Sequence, residues 1–108
     1  MTTVLVLEYG HSIMKDLVIK ELQQQLEISL EKIVQETLDE YSSTIGNDFS
    51  METRAMLGFE VSKDLFVYSD IAKKEYTKIG YEYGLTTEEI EKIVNESVSK
   101  IFNKYFER

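Results

Sequence analysis

Cysteine, proline and tryptophan are absent from this chain, and histidine occurs once, as His11. Without cysteine, neither a disulfide nor a thiolate metal site can hold the fold, which fits a reducing compartment. Without proline, nothing in the covalent backbone forces a helix to break. One histidine also closes several chemistries. Glu8 and His11 make a single E-x-x-H spacing, half of what a di-iron helical bundle repeats on two helices. No Ser–His–Asp set can be assembled around His11, and neither a G-x-x-x-x-G-K-[ST] nor a G-x-G-x-x-G phosphate loop is present. The sequence thus points to a non-enzymatic protein with no catalytic residue, no cofactor and no metal site.

Long apolar runs are missing as well. Val4 to Leu7 is too short for the core of a signal peptide and lacks a basic flank. No stretch approaches the ~20 apolar residues that span a bilayer. The expectation is a soluble, cytoplasmic chain with no membrane partner.

What remains is an ordinary globular composition, 43% hydrophobic and 30% charged, in 108 residues, the size of one domain. Its charge is not ordinary. The net charge is −8, which repels phosphate backbones and anionic membranes at long range. Residues 1–50 hold nine acids against three lysines, whereas residues 51–108 hold eleven acids against nine bases. The acidity therefore lies mainly in the first half.

Apolar periodicity predicts a mainly α fold, a compact domain of three to four helices with one long N-terminal helix. The first pattern runs from about His11 to Ile45 with a mean step nearer four than 3.6 residues, so its stripe rotates around the helix. Such a helix either bends or breaks near Gln23–Gln25, or protrudes and buries its second face against another chain. Gly46-Asn47-Asp48 then supplies a stop. A short helix is expected from about Ser50 to Leu57, ending at Gly58. The next pattern, Val61, Leu65, Tyr68, Ala72, Tyr76, Ile79 and Tyr83, is helical, with Ser62 as its N-cap. The last helix begins at Thr86, where Glu89 completes a capping box and Leu85 and Ile90 occupy staple positions. The runner-up is a small α+β fold with a sheet from residues 4–9, 59–61 and 65–68, whose β-branched and aromatic content permits it.

Three constellations bear on function. The Gly80–Ile93 junction has the layout of a helix-turn-helix, but the start of its second helix carries Glu88 and Glu91, which oppose a phosphate field. A tight structural corner is the simpler account. The first helix bears a row of carboxylates, Glu21, Glu27, Glu31, Glu36, Asp39 and Glu40, with Lys32 the only base between Glu21 and Asp48. Such a row is either a solvated face or an imitation of a nucleic-acid backbone that occupies a basic groove. Phe66 and Tyr81 point away from the apolar stripe of their helix and are candidate aromatic anchors.

These readings favour an acidic protein-binding module whose partner is a protein, for instance a small phage or mobile-element anti-defence inhibitor on a nucleic-acid-binding surface. Two alternatives stand beside it. One is a DNA-binding regulator relying on Lys92, Lys100 and Lys104. The other is a self-assembling helical protein, a homodimer with Leu17 or Leu30 buried between chains.

Overall fold

Because no proline interrupts the chain, its helical patterns run to unusual lengths. The computed structural model describes residues 2–46 and 50–106, with side chains from Met14 onward apart from Ile45. Asn47 and Asp48, expected in the first turn, lie outside the described residues, as do the side chains of Glu8 and His11. Three helices follow one another: α1 (Thr2–Ile45), α2 (Met51–Glu82) and α3 (Thr87–Phe106). The mainly α expectation holds. The sheet of the runner-up fold does not form: residues 4–9 belong to α1, and residues 59–61 and 65–68 belong to α2.

Two expected boundaries also move. The short helix and the one after it are a single helix, which runs through Gly58. Its N-cap is Ser50, whose Oγ accepts from the Thr53 backbone N–H at 3.2 Å, and Ser62 lies inside it. The reason is tertiary. Gly58 is buried under the rings of Phe102 and Phe106, and packing against α3 carries the helix through it. Phe102 and Phe106 stack with centroids 5.0 Å apart over that site.

The helices share one core. Leu22, Leu26, Leu30 and Val34 of α1 meet Val61, Leu65 and Tyr76 of α2 and Ile90, Val94 and Ile101 of α3. Burying each large aliphatic side chain stabilises the fold by roughly 1.5–3 kcal/mol. Tyr76 is the one buried tyrosine among the described side chains. Burial first, then the neighbouring Tyr68 hydroxyl, pushes its phenol up to about 12. The core therefore keeps this ring neutral.

Ion pairs between helices reveal the helix directions. Lys15 meets Glu89 at 3.2 Å, Lys100 meets Glu27 at 2.8 Å, and Lys104 pairs with Glu31. The nearly constant sequence offset makes α1 and α3 parallel, with α2 antiparallel to both. It also sets the start of α3 beside position 13, so the first turns of α1 run past the α2–α3 corner. A helix of 44 residues spans about 66 Å, which matches the 67 Å long axis of the molecule. α1 thus protrudes instead of breaking at Gln23–Gln25.

The α2–α3 corner follows its sequence signals closely. Gly84, at φ 78°, takes the left-handed position. The Leu85 N–H donates to the Gly80 carbonyl at 2.9 Å and the Gly84 N–H to the Tyr81 carbonyl at 3.3 Å. Those two bonds are the paired closure of a Schellman motif. Thr86 Oγ1 then accepts from the Glu89 N–H at 3.1 Å, while Glu89 Oε1 accepts from the Thr86 N–H at 3.2 Å. Thr86→Ala is expected to cost about 1 kcal/mol, a fall of roughly 4–8 °C in the thermal midpoint.

The same box predicts an acid dependence. Its hydrogen bond from the Thr86 backbone, followed by the one from Lys15, holds the Glu89 carboxyl below its ordinary value. The sign follows from linkage. The contribution is complete above the unfolded pKa of about 4.3 and is lost as pH falls through the lowered folded value. Melting curves of Glu89→Gln between pH 3 and 6 should show a shallower acid limb than the parent; parallel limbs would contradict this.

Candidate protein-docking face

α2 is the central helix, and its sides are not equally covered. The line Gly58, Val61, Leu65, Ser69, Ala72 and Tyr76 is buried between α1 and α3. Opposite it, Phe59, Phe66 and Val67 are 63%, 67% and 59% exposed, and Met56 and Ile71 extend the strip at either end. Isolated exposed hydrophobics are ordinary, but a contiguous strip with two open phenylalanine rings is not. The spacing 59, 66, 67, 71 is a helical stripe in its own right. Phe59, Phe66 and Val67 line one shallow groove of ≈ 400 Å³ with Ser62 and Lys63.

A second groove, of ≈ 370 Å³, adjoins it through Val67. It lies between α1 and α2, with Ile33, Val67, Tyr68 and Ile71 supplying apolar surface. Three carboxylates line it: Glu36, Glu40 and Asp64. Asp64 Oδ2 accepts from the Thr37 hydroxyl at 2.7 Å, which fixes that carboxylate at the α1–α2 seam. Glu36 has only Lys32 nearby, at 3.9 Å and widely exposed on both sides, a contact of little energetic weight. Among the described residues, no cation lines this groove. One residue away the Tyr41 phenol is held above its ordinary value, by local desolvation and then by Glu60, to which it is hydrogen-bonded. The seam is thus an apolar trough with an acidic bank on the α1 side.

The six carboxylates expected as one row do not act together. Glu27 and Glu31 turn to α3 and are engaged by Lys100 and Lys104. The Lys104 ammonium is held above its ordinary value by the hydrogen bond it donates to Glu31. Glu36 and Glu40 face α2. Glu21, which accepts from Gln25 Nε2 at 2.8 Å, and Asp39 remain exposed elsewhere on α1. No protein family, curated protein or solved structure matches this chain. The reading of its surface therefore rests on its own geometry.

Of the two candidate aromatic anchors, both are exposed, but they do not meet. Phe66 sits in the centre of the apolar strip. Tyr81, 83% exposed, lies fifteen residues further along α2, about 22 Å away by helical rise. Sequence reasoning missed Phe59, Val67 and Ile71. Their signal was present as a second stripe at steps of 7, 1 and 4, which the stronger core stripe of the same helix masked.

Two further constellations take definite positions. The glycine corner joins helices packed antiparallel along their length, and α3 lies flat on α1 and α2 with Ile90, Ile93, Val94 and Ile101 buried. Among the described residues, no cluster of three or more His, Asp or Glu is arranged to hold a metal ion. No described helix is long and apolar enough to cross a membrane.

Proposed function

We propose that this chain is a non-enzymatic, cytoplasmic protein-binding module that docks through the α1–α2 face onto another protein. The observation that carries the reading is the strip of Phe59, Phe66 and Val67, open to solvent and continuous with a trough lined by Glu36, Glu40 and Asp64. Aromatic side chains supply large contact area at low entropic cost, and a polar rim supplies orientation.

This shifts the weight of the sequence reading. A nucleic-acid mimic needs a continuous run of free carboxylates, and Lys100 and Lys104 engage the middle of the row. A mixed apolar and acidic surface suits a partner that is apolar at the centre of its contact and basic at the edge. A nucleic-acid-handling protein inhibited at such a surface belongs to that class.

The reading predicts a residue-specific result. Tagged parent protein, Phe66→Ser and the triple variant Glu36→Lys/Asp39→Lys/Glu40→Lys are used to capture partners from lysate of the source organism, with and without nuclease. Each variant should melt close to the parent, because exposed positions change stability by about 0.5 kcal/mol or less. Expected is a nuclease-resistant protein partner that Phe66→Ser loses. Recovery of nucleic acid alone, abolished by nuclease, would favour the DNA-binding alternative and defeat the proposal.

A further inference from the structure

The docking face has a shape, a length and a charge asymmetry, and together they narrow its occupant. From Phe59 to Ile71 the apolar strip covers twelve residue steps of α2, roughly 18 Å, or just over three helical turns. It runs along α2, and Ile33 of α1 deepens one side. A rod-shaped apolar surface of that length fits the stripe of an incoming helix with anchors at i, i+4 and i+7.

The two edges of the strip differ. Toward α1 stand Glu36, Glu40 and Asp64, with no lining cation among the described residues. Lys63 lines the strip itself, where it pairs with Glu60 at 3.2 Å and lies over the Phe59 ring. Beyond Phe66, toward α3, the groove is lined by hydroxyls, an amide and Lys73. A helix seated here meets lining carboxylates along the α1 flank and none along the α3 flank.

The geometry points to a basic amphipathic helix of a partner protein as the occupant, its apolar stripe on Phe59, Phe66 and Val67 and its Lys/Arg edge toward Glu36 and Glu40. This rests on the docking-face reading above. A second copy of the chain is the poorer occupant. Antiparallel self-pairing through this face would bring the same carboxylates together, and in a parallel pairing two molecules of net charge −8 still repel each other.

The test uses the full chain and three fluorescein-labelled synthetic peptides of about sixteen residues, roughly 24 Å as helices. The first has Leu at i, i+4, i+7 and i+11 with Lys and Arg along one flank. The second replaces those bases by Glu. The third keeps the first composition but disperses the leucines. Fluorescence anisotropy should show saturable binding of the first, at least about tenfold weaker binding of the other two, and weakening with added salt. Phe66→Ser should weaken the first peptide by about tenfold or more, and Glu36→Gln/Glu40→Gln should weaken it while leaving the acidic peptide unchanged. Equal binding of the acidic or dispersed peptide, or no binding of the first, overturns the inference. So does sedimentation equilibrium showing a dimer that Phe66→Ser dissociates, because the occupant is then a second copy. Failure of the peptides with Phe66-dependent partner capture intact defeats the basic helix alone. Capture indifferent to Phe66→Ser defeats the docking face, and the inference with it.

Discussion

Leu30→Ala is expected to lower stability by about 2–5 kcal/mol, whereas Ile28→Ala, two residues away, should change it by about 0.5 kcal/mol or less. Leu30 is wholly buried among the three helices, and Ile28 is 70% exposed. Removal of a buried side chain costs the transfer free energy of the lost atoms and leaves a cavity that close-packed neighbours fill only in part. A domain of this size has a total stability of about 5–15 kcal/mol. The leucine variant therefore loses a large share of it. Urea unfolding at two protein concentrations measures both effects. The loss at Leu30 should not depend on concentration, because its contacts lie within one chain. A concentration-dependent midpoint would instead place part of that burial between chains, as the self-assembly alternative had it. Equal effects at positions 28 and 30 would mean that α1 is rotated from the orientation described.

Gly80→Val should destabilise the corner by about 1–3 kcal/mol, while Gly58→Ala should be neutral or stabilising by up to about 1 kcal/mol. Both glycines are buried in α2, and their surroundings differ. A Cβ at Gly80 would lie 2.8 Å from Ile90 Cδ1 and 3.0 Å from Leu85 Cβ. Leu85 and Ile90 are the staple on either side of the Thr86 cap, and the Schellman closure ties Leu85 to the Gly80 carbonyl. Neither can retreat without loosening the corner. A Cβ at Gly58 would meet the Phe106 and Phe102 rings at 3.6–3.9 Å, ordinary contact distances. There the gain in helix propensity outweighs the crowding. Thermal melts of the two variants should move in opposite directions, or Gly58→Ala should not move at all. A Gly80→Val variant as stable as the parent would show that the corner yields more easily than its contacts imply.

The corner also shows how far sequence reasoning reaches. Thr86, Glu89, Gly84, Leu85 and Ile90 were assigned their roles from spacing, because capping and C-terminal closure involve groups within five residues of one another. The boundary near Gly58 was misplaced for the opposite reason. A glycine that ends a helix and a glycine that admits two rings from a helix over forty residues away look the same locally. Among the site residues, Phe66 was identified because it stands outside the core stripe. Phe59 was not, because the expected helix end at Gly58 left it outside any helical face.

Three levels of this protein were therefore determined by the sequence alone: its helical class, the chemistry of its last corner and the acidic bias of its first half. Each depends on local periodicity, on short-range hydrogen bonds or on composition. Which carboxylates stay free, and which side of α2 stays bare, only the tertiary structure decided. Glu27 and Glu31 are engaged by lysines 73 residues away. Phe59 and Phe66 are open because two helices flank α2 and no third covers its remaining side. Pairing and coverage are properties of packing between distant segments, and no spacing within one helix encodes them.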